Sequence, residues 1–156
     1  MLRITVIAVG KVKMPWIAEG VREWETRLRP YAKVDVIEVA AESFRREQEK
    51  TEAMGDEAER ILKLIEARPL SPVFLLDERG KEYDSREFAW FLGNQEGKEI
   101  VFVIGGALGL DASLQEKFSG KVALSRMTLP HEMARLIFLE QLFRAVTIQQ
   151  GKAYHY

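Results

Sequence analysis

The segment VFVIGGALGL, residues 101–110, contains the strongest indication of how this chain is built, because an apolar strand stops there at two adjacent glycines. Open α/β sheets bind ligands at the carboxyl ends of their strands, where helix N-termini and unpaired N–H groups converge. Paired glycines also let a ligand approach bare backbone. A tight turn without a ligand fits Gly105 and Gly106 equally well. We therefore expect the functional site in the last third of the chain and leave the role of this turn open.

Other apolar segments have the spacing of strands and alternate with helical segments. Alternating or continuous apolar runs predict strands at residues 2–9, 33–39, 73–76, 100–104 and 122–124, with a polar turn at 77–81 and a loop at 93–97. Apolar residues at helical spacing predict helices in 16–30, in the second half of 40–67, after Asp84, over 112–118 and after Pro130. Asp84 or Ser85, with Glu87, predicts a capping box, and Asp111 predicts an N-cap for the helix over 112–118. This alternation predicts an α/β fold with a mostly parallel sheet and helices on both faces. A chain of 156 residues with 47% apolar content fits one domain, residues 1–156.

Composition excludes several classes of protein. The chain has no cysteine and two histidines, so a disulfide framework and a thiolate metal site are excluded and a zinc site has little basis. The apolar start alternates like a strand, and no later run has membrane-spanning length. We expect a cytoplasmic protein without a metal or a membrane partner.

The net charge of −1 hides an uneven distribution. Residues 1–37 carry a net +3, residues 38–66 a net −4 and residues 101–156 a net +2. The two ends of the chain would form a basic surface if they lie together, and ordinary solvated faces explain the same counts. Charge alone therefore leaves the partner open.

Two loops near the carboxyl ends of predicted strands are candidate ligand sites. Residues 104–110 match neither the dinucleotide fingerprint nor a phosphate-binding loop with its Lys-Ser/Thr pair. Residues 125–130 offer hydroxyl groups, N–H groups and Met127, which suit an adenosine, although such loops often only begin a helix. For His131 we expect a capping role at that helix. Glu132, Arg135, Glu140 and Arg144 have the spacing of pairs on a helix surface.

The last helix and the tail raise separate questions. The helix is apolar over so broad a surface that it is either deeply buried or partly covered by another subunit. The tail Tyr154-His155-Tyr156 carries three rings where a terminus normally frays. Such rings stack on an unpaired base, and His155 exchanges a proton near neutral pH. A tail that packs its tyrosines on the core fits equally well.

Several motifs together resemble one family over essentially the whole chain. They are the Val9-Gly10-Lys11 turn followed by Trp16 and Gly20, Leu76-Asp77-x-x-Gly80-Lys81, residues 102–110, Ser125-x-Met127-Thr128-Leu129-Pro130-His131, Leu139-Glu140-Gln141-Leu142-x-Arg144-Ala145 and Tyr154-His155. In this order they resemble the RlmH family, small bacterial methyltransferases of the SPOUT superfamily that act on a pseudouridine of large-subunit ribosomal RNA.

The resemblance implies a SPOUT-type fold with a C-terminal trefoil knot, a homodimer, and methyl transfer from S-adenosylmethionine without a metal. The acceptor would be N3 of a pseudouridine in 23S ribosomal RNA of the assembled ribosome. The matching cofactor-binding positions are Leu76, Gly106, Ser125, Arg126, Met127, Thr128, Leu129 and Pro130. The matching catalytic positions are Tyr154, His155 and Arg144.

One position departs from the family pattern. The family tail usually continues past the histidine with a basic residue, and here Tyr156 ends the chain. Its terminal carboxylate would repel RNA. A protein that kept the fold, lost the chemistry and serves as an RNA-binding ribosome-assembly factor is the alternative, and the intact loops and the Tyr154-His155 pair argue against it.

Overall fold

A five-stranded parallel sheet forms the centre of this computed structural model, which describes residues 1–95 and 97–156. The strands are β1 (Leu2–Val9), β2 (Ala32–Val39), β3 (Val73–Glu82), β4 (Glu99–Ile104) and β5 (Gly120–Ala123). They lie in the order β2-β1-β4-β3-β5, and every neighbouring pair is parallel. All strands therefore end at one side of the sheet, the carboxyl edge, and begin at the other, the amino edge. The predicted parallel α/β architecture is confirmed.

Helices cover both faces of this sheet. They are α1 (Pro15–Leu28), α2 (Lys50–Glu66), α3 (Ser85–Gly93) and α4 (His131–Gln149), with two short 3-10 helices at Glu47–Glu49 and Ala112–Lys117. Strand β1 is buried on both sides because its residues alternate between two cores. Ile4 and Val6 pack with α1, α3 and α4, whereas Ile7 and Val9 pack with α2.

Strand β3 is longer than the sequence predicts. The expected turn at 77–81 is wrong, because the strand continues to Glu82 with a shift in register. Leu76 and Lys81 both pair with Val122, so the polar residues between them form a bulge within the strand. A Cβ on Gly80 would lie 2.7 Å from the backbone nitrogen of Val122. The close approach of the bulge to β5 therefore requires glycine.

Of the three side-chain caps predicted at helix starts, two are confirmed. Asp84 accepts a hydrogen bond from the Glu87 backbone and Glu87 returns one, which confirms the capping box. Asp111 caps the next helix as predicted, but that helix is of the 3-10 type and ends at Lys117. The capping role expected of His131 is wrong, since α4 begins after Pro130 without a side-chain cap. Of the predicted loop at 93–97, residue 96 lies outside the described part of the chain.

Helix α4 is deeply buried on one side and partly exposed on the other. It packs between α1 and α3 and buries Phe138, Leu139 and Leu142 completely. Met133, Leu136 and Ile137 stay partly exposed on its other side. No helix within residues 1–95 and 97–156 is long and apolar enough to cross a membrane. The trefoil knot concerns the threading of the chain and stays a prediction.

Candidate cofactor and active site

The predicted cofactor residues of two loops meet at the carboxyl edge. Leu76 lies at the end of the regular part of β3, and residues 125–130 follow β5, its neighbour in the sheet. Leu76, Ser125, Met127 and Leu129 line one cavity of about 50 Å³, which Asp77, Glu78, Leu124 and Ala134 complete. The Oγ of Ser125 accepts a hydrogen bond of 3.0 Å from the backbone of Met127 and so holds the loop in a tight turn.

This cavity has the chemistry of a nucleoside site, although it is small. Leucine side chains supply apolar walls, and carboxylates stand beside them. Asp77 pairs with Arg79 at 3.0 Å, and the hydrogen bonds from Arg79 lower the pKa of Asp77, so this carboxylate stays charged. Pockets for ligands of this size occupy about 300–1,000 Å³. Met127 is 78% exposed and free to turn aside. The cavity is therefore smaller than a whole ligand site, and the exposed side chain of Met127 stands at its edge.

Gly106 lies apart from this cavity. It lines a second and larger one, of about 590 Å³, together with Val9, Gly10 and His131. A Cβ on Gly106 would lie 2.8 Å from Cγ1 of Val9, a buried residue at the end of β1. The glycine is thus needed for packing against β1, whatever else the turn does.

The remaining predicted cofactor residues lie on the exposed side of the loop after β5. Arg126 is exposed and contacts Glu82 at 3.4 Å, a distance that contributes little in water. Thr128 is exposed as well, and Pro130 occupies the position before α4. The structure places these three next to the small cavity in sequence but not among the residues that line it.

The three predicted catalytic residues lie together with Glu140 and form a group that we call the tail cluster. The Tyr154 hydroxyl donates a hydrogen bond of 2.9 Å to Glu140, and Arg144 donates one of 2.7 Å to the same carboxylate. The Arg144 guanidinium lies 4.8 Å from the centre of the Tyr154 ring and 3.2 Å from Nδ1 of His155. Burial and the hydrogen bond with Glu140 raise the pKa of Tyr154. The phenol is therefore neutral at physiological pH.

The tail cluster is far from the cofactor loops of its own chain. Tyr154 packs on Trp24 and Phe143, and Lys152 bonds the hydroxyl of Tyr31, the residue before β2. This places the tail at the amino edge. Helix α4 begins at the carboxyl edge and rises about 1.5 Å per residue, so Arg144 lies about 20 Å from its start. Within one chain the two groups of predicted residues therefore occupy opposite edges of the sheet.

Two residues of α4 act in a way that sequence reasoning missed. Arg135 is 4% exposed and donates hydrogen bonds to the Gly10 carbonyl at 2.9 Å and to Glu38 at 3.1 Å. Glu132 accepts hydrogen bonds from the backbone N–H groups of Lys13 and Met14. Their expected pairing on the helix surface is wrong, whereas the Glu140–Arg144 pair is confirmed. The available signal was an arginine at a position where the apolar spacing of α4 predicts a buried side chain.

A parallel sheet with a cavity at its carboxyl edge is the arrangement found in α/β enzymes that bind cofactors. Within the described residues, no group of three or more histidine and acidic side chains is placed to hold a metal ion. The family described as "Predicted SPOUT methyltransferase" matches residues 2–155. The chain belongs to the SPOUT methyltransferase family, which confirms the resemblance.

Individual relatives match over the full length. The chain is 41% identical to "Ribosomal RNA large subunit methyltransferase H" of Carboxydothermus hydrogenoformans, with 99% of each chain covered. It is also 41% identical to the protein of the same name from Geotalea daltonii, with 99% of this chain and 100% of the relative covered.

Solved structures share the fold at low sequence identity. TrmJ from Z. mobilis ZM4 has a TM-score of 0.55 at 13% identity and covers 93% of this chain and 70% of its own. A putative methyltransferase from Legionella pneumophila, solved with bound SAM, has a TM-score of 0.50 at 13% identity and covers 92% of this chain and 66% of its own. The SPOUT-type fold is thereby confirmed.

Proposed function

We propose that this chain is a single-domain, cytoplasmic enzyme that transfers a methyl group from S-adenosylmethionine to N3 of a pseudouridine in 23S ribosomal RNA of the assembled ribosome. The observation that carries the proposal is the 41% identity, over 99% of both chains, to a ribosomal RNA large subunit methyltransferase H. The site supports it, because the family motif at residues 125–130 lies beside Leu76 at the carboxyl edge.

The residues around the small cavity fit the cofactor. Leu76 and Leu129 offer apolar surfaces for the adenine ring, and the loop of residues 125–130 offers backbone groups and hydroxyls. The carboxylates of Asp77 and Glu78 suit a ligand with hydroxyl groups and a positive charge. S-adenosylmethionine supplies the methyl group when it is bound there. Arg126, Thr128 and Pro130 keep their proposed place in this loop, and Gly106 contributes from the neighbouring turn.

A homodimer is part of the proposal because one chain keeps the two halves of the site apart. The tail cluster lies at the amino edge and the cofactor loops lie at the carboxyl edge, about 20 Å apart along α4. A two-fold axis across the helix layer reverses the direction of α4 in the second copy. The tail cluster of the partner then lies at the carboxyl edge of this chain.

The helix layer has the apolar surface that such an interface needs. On α4, the partly exposed side chains Met133, Leu136 and Ile137 lie between the two neighbouring helices. Trp16 on α1 is 58% exposed and Trp90 on α3 is 73% exposed. Exposed aromatic residues beside a partly exposed apolar helix are typical of a covered surface. We propose that this face is the dimer interface.

The chemistry assigns a role to each member of the tail cluster. N3 of a uracil-type base is an imide nitrogen, so its proton passes to solvent water before the nitrogen attacks the methyl group, and the broken S–CH3 bond leaves S-adenosylhomocysteine. Arginine is always a donor, so Nδ1 of His155 accepts the hydrogen bond from Arg144 and the hydrogen of a neutral ring is on Nε2. From there His155 donates to a carbonyl of the base and stabilises the N3 anion. One such donor contributes about 10²- to 10³-fold in rate. Arg144 orients the ring, and Tyr154 offers a surface on which the base stacks.

Two measurements on the wild-type protein test the proposal. Calorimetric titration with S-adenosylmethionine should show one site per chain, and labelled methyl groups should appear in the ribosomal RNA when purified ribosomes are added. Binding without transfer, or no binding at all, would favour the non-catalytic ribosome-assembly protein. Free ribosomal RNA is the control substrate, and we expect it to accept far fewer methyl groups than the assembled ribosome.

A further inference from the structure

Apart from Gly106, the residues that line the larger cavity, of about 590 Å³, have no role in the site described so far. It opens at the carboxyl ends of β1 and β2, between the loop that follows each strand and the turn after β4. Because β4 lies between β1 and β3 in the sheet, the turn at Gly106 separates this cavity from the small one. Lys11, Lys13 and His131 line it, and its volume lies within the range of about 300–1,000 Å³ for ligand sites.

Two of the three acidic residues that line this cavity pair with arginines. Glu38 pairs with Arg135 at 3.1 Å, and Glu42 pairs with Arg60. Glu57 is 2% exposed and accepts a hydrogen bond of 2.7 Å from the backbone of Glu42. Burial raises the pKa of Glu57, which favours its neutral form.

The basic residues of the cavity are not neutralised in this way. In the part of the chain that the structure describes, neither Lys11 nor Lys13 has a carboxylate within ion-pair distance, and both are exposed. His131 lies beside them, with its Cε1 3.6 Å from the position of a Cβ on Gly10. The rim of the cavity therefore presents two lysine ammonium groups without an ion pair among the described residues, although the chain as a whole has a net charge of −1.

The loop that carries the two lysines, residues 10–13, is fixed at both ends. The Gly10 backbone donates a hydrogen bond of 2.8 Å to Val39, and its carbonyl accepts one from Arg135. Glu132 holds the other end through the backbone of Lys13, and this hydrogen bond lowers the pKa of Glu132. Both anchors stand on the first turns of α4, directly after the cofactor loop. A fixed loop loses little entropy when its lysines bind a ligand.

We propose that Lys11 and Lys13, with His131, form a subsite that binds a backbone phosphate of the RNA strand beside the target nucleotide. The inference rests on the proposed function and adds to it the residues that hold the RNA. An anion is the ligand that this rim selects, because Glu38 and Glu42 pair with arginines, whereas Lys11 and Lys13 have no ion pair within the described residues. Phosphate contacts position a nucleic acid without reading its sequence. The anchors on α4 keep this contact at a fixed distance from the cofactor loop.

The test compares two double variants that each remove two positive charges. Lys11→Ala/Lys13→Ala changes the subsite, and Lys33→Ala/Lys63→Ala is the matched control, since both control lysines are exposed and pair only with nearby acids. Ribosome binding is measured by cosedimentation over a series of salt concentrations, and S-adenosylmethionine binding by calorimetry. We expect the subsite variant to bind ribosomes about tenfold more weakly. The slope of log ribosome affinity against log salt concentration should be smaller in magnitude by about 1 to 2. The affinity for S-adenosylmethionine should stay unchanged.

Two results would overturn the subsite. Equal ribosome affinities and equal salt slopes in the two double variants would show that RNA does not contact these lysines. A loss of cofactor affinity in the Lys11→Ala/Lys13→Ala protein would assign the cavity to the cofactor. Failure of the proposed function is a different result, because it would be seen as a wild-type protein that binds ribosomes but transfers no methyl group.

Discussion

The Tyr154 hydroxyl donates a hydrogen bond of 2.9 Å to Glu140, and this contact fixes the C-terminal tail to the far end of the helix that begins at the cofactor loops. The Tyr154 ring is therefore held at the amino edge of the sheet, whereas Tyr156 is fully exposed. Because the cofactor loops lie at the opposite edge, we propose that the tail acts on the site of another subunit. The predictions below test the contacts on which this account depends.

Tyr154→Phe should weaken the attachment of the tail without removing it. The ring would keep its packing on Phe143 at 5.0 Å, and the hydrogen bond to Glu140 would be lost. We expect the free energy of unfolding in urea to fall by about 0.5–1.5 kcal/mol. Tyr156→Phe is the matched control, because that hydroxyl is exposed and 3.5 Å from its acceptor. An equal loss in both variants would mean that the Glu140 contact contributes nothing.

Gly106→Ala separates the packing role of the turn from its role toward the cofactor. The added Cβ would lie 2.8 Å from Cγ1 of Val9, so we expect a loss of about 1–3 kcal/mol in stability. Val9→Ala removes the obstructing atoms, and the double variant should be more stable than the sum of the two single changes predicts. Cofactor affinity of the double variant should stay at least about tenfold below wild type if the turn contacts the ligand. Recovery of affinity together with stability would assign the turn a purely structural role.

The Glu57→Gln variant should gain stability relative to the wild type as the pH rises. Burial raises the pKa of Glu57 above its ordinary 4.5, so the folded protein holds this proton more tightly than the unfolded chain. The contribution of Glu57 to stability is full below pH 4.5 and is lost as the pH rises through the raised pKa. Glutamine is neutral throughout. Thermal unfolding between about pH 4 and pH 8 should show the melting temperature of the variant gaining on that of the wild type.

The matched control for this series is Glu59→Gln on the same helix. Its carboxylate is 66% exposed and pairs with Lys63 at 3.5 Å, so its stability difference from the wild type should change little over this range. The prediction is wrong if the melting temperature of Glu57→Gln falls relative to that of the wild type as the pH rises. That result would show that the charged form of this buried carboxyl stabilises the fold.

The sheet could be predicted from the sequence because its strands are short apolar runs that only a buried, parallel arrangement satisfies. The bulge in β3 could not be, since Gly80 and its polar neighbours have the composition of an ordinary turn. Only the pairing of Leu76 and Lys81 with the same residue of β5 distinguishes the two. Contacts between distant segments have no local signal of this kind.

In the candidate site, too, the motifs could be predicted from the sequence, whereas the contacts between distant segments could not. Residues 125–130 and Tyr154-His155 are recognisable as motifs, yet their separation depends on the direction of α4 across the sheet. The apolar spacing of α4 indicates that Arg135 is buried but not what it and Glu132 contact, because their partners Gly10 and Lys13 are more than a hundred residues away. Sequence spacing within a helix cannot report such partners. The fold was needed to show that the basic loop is held by the helix that follows the cofactor loop.

The central claim is that one subunit supplies the cofactor loops and the other supplies the tail. His155→Ala removes the tail group, and Ala134→Phe fills the small cavity between the loops. Each variant alone should transfer methyl groups to ribosomes at least about 10²-fold more slowly than the wild type. Circular dichroism should show that both remain folded. Coexpression with two different affinity tags then yields the mixed dimer.

The rate of methyl transfer by that mixed dimer is the decisive measurement. One of its two sites combines intact loops with an intact tail, so the account predicts about half of the wild-type rate per dimer. A mixed dimer no faster than the two parent variants would contradict it, because the tail and the cofactor loops would then have to act within one chain.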